Sequence, residues 1–410
     1  MAINFPDSPT QGQIFQNYVW DGEKWLGAST AAGAAVVGAV RYDLAQGLTV
    51  NQQAQARSNI SVLKKNYVIN GAMMVSQENG ATANNTNNYY PVDMFVHVLN
   101  LSGGVAGTAQ VFGSTPSGSP NRLHITASTA QASIGAGNYL FSSHSIEGLR
   151  AADLKFGSTS AKTITIQFGV KAPAGTYCVA VSNGNSTRSY VAEYVITAGE
   201  AGTDVIKSVT IPGDQAGTWA SDNTVGINIK WILAAGTTYH TTAGSWVGVN
   251  ALATANQFNF MGTINNVFQL FDVSLTEGTS APPFQVPDFA AELAACMRYY
   301  EKSFLLTTLP AQNAGLSGAH CFAQGIGASL NQISPPIFFA VPKRIPSSTI
   351  TFYHPAAASA QVYNGTTGAS WSSTILYVIS EKAVVVQATT AAGSAIGNAA
   401  LVHWTANARL

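Results

Sequence analysis

From residue 64 to about 287, short hydrophobic-polar alternations are separated by Gly, Ser and Asn turns. In TITIQFGVKAP (163–173), Ile164, Ile166 and Phe168 share one face before Pro173 ends the run. TVGINIKWILAAG repeats the period, with Val225, Ile227, Ile229, Trp231 and Leu233 on one side, which makes Trp231 a core residue. YCVAVSN, SYVAEYVITA and NNVFQLFDVSLTEG have the same texture. Short strands at such spacing predict an antiparallel sandwich or jelly roll. No unit of about 20 to 50 residues repeats, which argues against a parallel β-helix. Residues 304–410 continue in strand-like runs, PPIFFAVPKRIPSSTITFYHP and STILYVISEKAVVVQAT, and predict a second β-domain ending in a paired strand over 399–404.

Two stretches read as helix. In LTVNQQAQARSNI (48–60), Thr49 and Gln52 fit a capping box, and Val50, Ala54 and Ile60 lie on one small-sided apolar face with Arg57 near its middle. So short a helix is barely stable alone. It either packs on its own domain or meets symmetry copies of itself, and the second reading is favoured because small side chains permit close approach. The other helix opens at Pro287-Asp288, with Phe289, Leu293, Cys296, Met297 and Tyr300 along its apolar face.

Residues 1–28 are rich in aromatics, and Asp21-Gly22 is a hairpin signal, so this segment predicts a two-stranded tab. An isolated hairpin is marginal in water. Phe5, Tyr18, Trp20 and Trp25 therefore need cover, expected from a partner chain. An Ala/Gly/Ser linker, ASTAAGAAVVGAV, follows. The predicted divisions are a tab (1–28), linker and helix (29–63), a body ending in a helix (64–303) and a terminal β-domain (304–410).

Composition changes the picture in two ways. Charged residues make up only 9% of the chain, so its surface must be carried by hydroxyls, amides and small residues. Such a surface suits residence in a larger assembly. Lys plus Arg equals Asp plus Glu at 19 each, which leaves no basic field for nucleic acid. The amino terminus lacks a basic segment followed by an apolar one, and no run of eighteen apolar residues occurs; synthesis in a cytoplasm without a signal peptide or membrane insertion is expected.

Candidate chemistry is sparse. Cys178, Cys296 and Cys321 form no disulfide or CxxC pattern, and the seven histidines are scattered singly, so neither a metal nor a cofactor is expected. No nucleophile elbow, Walker loop or dinucleotide fingerprint occurs, and no catalytic residue is assigned. Asp93, Glu147, Asp153, Glu193, Asp204, Asp214, Asp222, Asp272 and Glu277 read as turn carboxylates; a calcium ion at Asp272 or Glu277 is a minor alternative. Sugar binding is better founded, since aromatic faces stack on pyranose rings while amides and hydroxyls meet the sugar hydroxyls. Trp219, Tyr239 and Trp246, beside turns, and Trp371 in GASWSS are the candidates, each weighed against a role as a structural anchor.

VRYDLAQGLTVNQQAQARSNI resembles a recurring element of tailed-bacteriophage tail-fibre and related virion proteins, and FPDSPTQGQIF…YVWDGEKW is similar to a virion-attachment segment of such proteins. KNYVINGAMMVSQENG…YPVDMF, GDQAGTW, LAAGTTYHTTAGSW and FQLFDVSLTEGTSAPPFQVPDFAAELAACMRYYEKS look like a phage virion jelly roll similar to carbohydrate-binding modules. Ser61-Val62 stands where the pattern often has a glycine. The resemblance spans most of 1–304 and returns at HWTANARL. It implies a non-enzymatic structural protein of the virion, commonly a homotrimer. Phe5, Tyr18, Trp20 and Trp25 would dock on other virion proteins, Val50, Ala54, Arg57 and Ile60 would join copies, and the β-domains would meet a bacterial surface glycan. A head or neck decoration fibre without a receptor role is the first alternative, and a tailspike glycanase the second.

Overall fold

The computed structural model describes residues 5–16, 18–20, 22–27, 65–346, 348–371 and 374–410. The chain forms two compact units, residues 1–63 and 64–410. The predicted helix over 48–60, with Val50, Ala54, Arg57 and Ile60, and the linker before it lie outside the described residues.

In the first unit, β1 (Ile14–Phe15), β2 (Tyr18–Trp20) and β3 (Trp25–Gly27) form an antiparallel sheet, one strand more than the predicted hairpin. The turn sets Trp20 opposite Trp25, and Gly22 takes a φ of 110° that a side chain would strain. Phe5 stacks on Trp25 with centroids 5.1 Å apart and meets Tyr18 edge-on at 5.1 Å, while Phe15 closes the group at 6.1 Å from Phe5 and from Trp25. The rings cover one another, yet Phe5, Phe15, Tyr18, Trp20 and Trp25 all remain half-buried.

The second unit is mainly antiparallel β, as the alternation predicts. Its strands begin with β4 (Tyr89–Val92), β5 (Phe95–Asn100), β6 (Val105–Phe112), β7 (Asn121–Thr129) and β8 (Tyr139–Glu147). After a one-turn helix, α1 (Gly148–Ala151), come β9 (Ile164–Lys171), β10 (Gly175–Ser182), β11 (Ser189–Ile196), β12 (Val205–Ile211), β13 (Val225–Ala235), β14 (Trp246–Val247) and β15 (Val267–Glu277). A seven-stranded sheet, β14-β11-β10-β13-β8-β5-β4, faces a five-stranded one, β12-β9-β15-β7-β6. Between them lie Phe95, Phe168, Tyr177, Ile227, Ile229, Trp231, Leu233 and Phe268. A bulge after Val225 shifts the register, so Val225 stays half-buried while Ile227 and its period-two successors point inward.

The helix predicted at Pro287-Asp288 is α2 (Phe289–Met297), and the Asp288 side chain caps it by accepting from Ala291 N at 3.0 Å. The next strand, β16 (Tyr300–Lys302), does not join the sandwich. Later come β17 (His320–Ala323), β18 (Asn331–Ile333), β19 (Ile337–Phe338), β20 (Thr349–Tyr353), β21 (Val362–Asn364), β22 (Ser370–Trp371), β23 (Thr374–Ser380), β24 (Ala383–Thr389) and β25 (Ala399–Asn407). β25 pairs with β16, β17, β20 and β21, around a second core of Phe322, Phe352, Trp371, Val384, Val402 and Trp404. Polar ties bind this part to the sandwich: Arg344 Nη1 donates to Asn223 O at 2.7 Å, and Arg409 pairs with Glu78.

Candidate functional site

Two of the predicted sugar-contact residues converge at one edge of the sandwich. Trp246, on β14, packs on Tyr190 of β11 at 5.3 Å. Trp219 arrives from the loop between β12 and β13 and meets Trp246 edge-on at 5.4 Å; Phe156 wedges against both, at 4.8 and 5.9 Å. Each indole N–H donates to a loop carbonyl, Trp219 to Ala216 O at 3.1 Å and Trp246 to Pro212 O at 2.8 Å, so the rings are held in place.

The loop itself is fastened by charge. Asp214, buried, receives two parallel bonds from Arg188, Nε and Nη2, each 2.7 Å. Asn183 Nδ2 donates to Thr218 O at 3.0 Å and Gly157 N to Asp214 O at 2.7 Å. Gly217 lies over the Arg188 stem with φ of 77°; a Cβ there would come within 2.4 Å of Arg188 Cγ, so both backbone and space require glycine.

Beside this loop runs an open groove of about 390 Å³, floored by Gly184, Ala220 and Val225 and edged by Asn185, Thr218, Asp222 and Thr224. Binding pockets for small molecules start at about 300 Å³. Asp222 accepts from Thr224 N at 2.9 Å and Thr224 Oγ1 at 2.6 Å, and these bonds hold its carboxyl below the usual carboxylate range. Main-chain bonds from Gly148 N to Thr224 O (2.8 Å) and Leu149 N to Asp222 O (2.7 Å) fix this turn against α1. On the other side of Ala220 a smaller cleft of about 40 Å³ opens between Trp219, Phe156, Lys155 and Ser221. Amide, hydroxyls and a carboxylate along the groove, with an indole in the cleft next to it, make a surface suited to a neutral polyol. The groove lining carries one carboxylate, whereas glycoside hydrolysis by the common mechanisms uses two.

The other two candidates lie elsewhere. Tyr239 packs edge-on to Tyr139 at 5.5 Å, in a cluster with Phe141 and Leu252 on the outer face of the seven-stranded sheet. Trp371 is a correction: it is 0% exposed, paired across β21 with Val362 and packed on Phe322, so its faces cannot meet a sugar. The sequence gives no warning of Asn185, Thr218 and Thr224 as a group, although SDNT at 221–224 is a visible turn.

Among the described residues no group of three His, Cys, Asp or Glu side chains is placed to hold a metal ion, and no helix is long and apolar enough to cross a membrane. Asp272, the calcium alternative, accepts from Thr115 Oγ1 at 2.9 Å and Ser119 Oγ at 2.5 Å, and Glu277 pairs with Lys162 at 2.8 Å.

No protein-family model and no characterised protein sequence matches the chain. Among solved structures, it is similar to the enzymatically active domain of tailspike protein 4 from bacteriophage CBA120, with 9% identity and a TM-score of 0.29 over 52% of this chain and 21% of that one. It is also similar to the family 11 carbohydrate-binding module of a cellulosomal cellulase from Clostridium thermocellum, with 14% identity, a TM-score of 0.26, 49% of this chain and 98% of that one. A third structure, TmCBM61 in complex with β-1,4-galactotriose, has 10% identity, a TM-score of 0.27, and coverage of 52% and 99%. The chain thus spans about a fifth of the tailspike domain.

Proposed function

We propose that this chain is a non-enzymatic structural protein of a bacteriophage virion, of the tail-fibre type, whose sandwich binds a bacterial surface glycan in the groove beside Trp219. The observation that carries the glycan part is the convergence of Asn185, Thr218, Asp222 and Thr224 on one groove of about 390 Å³, with the Trp219 ring lining the neighbouring cleft across Ala220. The virion part rests on the sequence resemblance and on a chain of which only 9% is charged. The half-buried aromatic tab docks on other virion proteins, and the 48–60 segment gathers three copies. Threefold repetition turns a weak sugar contact into adhesion by raising the effective concentration of the second and third sites.

The test is a titration of the purified full chain with host envelope polysaccharide and with neutral oligosaccharides cut from it. Binding that falls about tenfold or more in Trp219→Ala and in Asp222→Ala is expected. Polysaccharide that stays unbound overturns the glycan reading, and chains shortened by incubation overturn the non-enzymatic one. Light scattering on residues 29–410 should give a trimer; a monomer counts against assembly through the 48–60 segment.

A further inference from the structure

The cleft across Ala220 is shaped for a smaller group than the groove. Ala151, Gly226 and Ile227, all buried, make an apolar floor, and the half-buried rings of Phe156 and Trp219 are its walls. The exposed Ala152, Lys155 and Ser221 form the rim, so the cleft opens to solvent. The volume of about 40 Å³ takes roughly three water-sized groups, at about 10–15 Å³ each.

Both walls are fixed. The short helical turn Ala152–Leu154 closes on Lys155, whose N–H donates to Ala152 O at 3.1 Å and whose φ of 57° is left-handed. Gly157 then lets the Trp219 wall approach. A Cβ there would stand 3.2 Å from Trp219 Cδ1 and 2.9 Å from Gly217 O, and its φ of 82° favours glycine. The Trp219 N–H is engaged by Ala216 O, so the indole offers the cleft its hydrocarbon surface. Among the described residues, neither the Ser221 hydroxyl nor the Lys155 ammonium has a hydrogen-bond or ionic partner.

An apolar floor with donors only at its rim narrows the class of sugar. Resting on the glycan reading of the groove, we infer that the glycan carries N-acetylated amino sugars: one residue lies in the groove, and the acetamido group of the next enters the cleft. An acetyl group has three heavy atoms, which matches the room available. Its methyl meets Ala151, Ile227 and the two rings, while its carbonyl oxygen accepts at the rim, where Ser221 and Lys155 are the donors. A hydroxyl in the same place would bury a polar group against methyls and rings, and a carboxylate would cost more still. A sugar that bears only hydroxyls therefore leaves the cleft to water.

The experiment titrates the full chain by calorimetry with three β-1,4-linked trisaccharides that differ only at C2: those of N-acetylglucosamine, glucosamine and glucose. The acetylated one should bind about tenfold tighter than the glucose one, as expected for one buried methyl and one hydrogen bond. Ala152→Leu, which fills the cleft from its rim, should remove that difference and leave binding of the glucose trisaccharide unchanged. In the unaltered chain, saturation-transfer NMR should find the acetyl methyl protons closer to the protein than the ring protons, a reading that needs no variant to fold. Equal binding of the acetylated and glucose trisaccharides overturns the acetyl site and leaves the groove reading standing, and a preference that survives in Ala152→Leu also overturns it. Binding led by the glucosamine trisaccharide traces the attraction to the Asp222 carboxylate and overturns it as well. If none of the three binds, this inference falls, while the groove reading is decided by the host polysaccharide.

Discussion

Arg409 and Glu78, 331 positions apart in the chain, form an ion pair that fastens the end of β25 to the start of the sandwich. The guanidinium also lies between the rings of Tyr90 and Tyr300, 4.0 and 4.1 Å from their centres. Arg409→Met should therefore lower stability by on the order of 3 kcal/mol, from one broken, largely buried pair and two lost cation–π contacts. Glu78→Gln should cost less, because its carboxylate is a third exposed. Urea unfolding followed by tryptophan fluorescence measures both, and an unchanged midpoint in Arg409→Met would contradict the fastening role.

Acid should weaken the sandwich through two histidines. His97 and His144 lie on the inner face of the seven-stranded sheet, donating from Nε2 to Ala106 O at 3.2 Å and to Ile69 O at 3.0 Å. Burial pushes both down to about 4, from 6.5 in an open chain. Between those values the unfolded chain takes up protons that the folded one refuses, so stability falls as pH drops from 6.5 to 4, by up to about 3 kcal/mol per histidine. Melting temperatures from pH 7 to 4.5 should decline, and His97→Gln should flatten part of the slope. An equal slope in that variant would place the acid sensitivity elsewhere.

What the sequence disclosed followed its local periods. The inward row Ile227, Ile229, Trp231 and Leu233 is visible because side-chain direction alternates along one strand, and α2 because Asp288 caps it. Trp371 is hidden: β22 is two residues long, and its burial comes from Val362 and Phe322, which only the folded chain brings near. β1 is too short to carry a period, and β16 pairs with β25 about a hundred residues away. The Trp219 groove depends on the Arg188–Asp214 pair, a contact between two loops that no spacing rule encodes.

Trp219 and Trp371 should separate site from core. Trp371→Ala removes a fully buried indole from the second core and should cost about 3–5 kcal/mol while leaving glycan binding at the Trp219 groove intact. Trp219→Ala removes a half-buried ring, should cost roughly 1–2 kcal/mol, and should weaken binding about tenfold or more. Paired unfolding and binding curves check the inversion. A Trp371→Ala protein that loses glycan while fully folded would return that residue to the binding surface.

Lys230 gives a prediction of the same sign as the histidines, in a higher pH window. Burial lowers its ammonium to about 8, from 10.5 in the open chain. Below pH 8 both states carry the proton and the folded one bears the full cost of the buried charge. Between pH 8 and 10.5 the unfolded chain holds the proton more tightly, so this contribution to stability rises with pH. Replacing the amine by a thioether of similar length removes the charge and keeps most of the contact with Phe141. Lys230→Met should thus be more stable than the natural chain at pH 7, by on the order of 2–3 kcal/mol, with the gap closing toward pH 10. Urea midpoints at pH 7, 8, 9 and 10 for the two proteins test it. A variant less stable at pH 7 would mean that the bonds from the ammonium to Ser182 Oγ and Ser186 Oγ outweigh desolvation. A gap that persists unchanged to pH 10 would trace the gain to packing instead of charge.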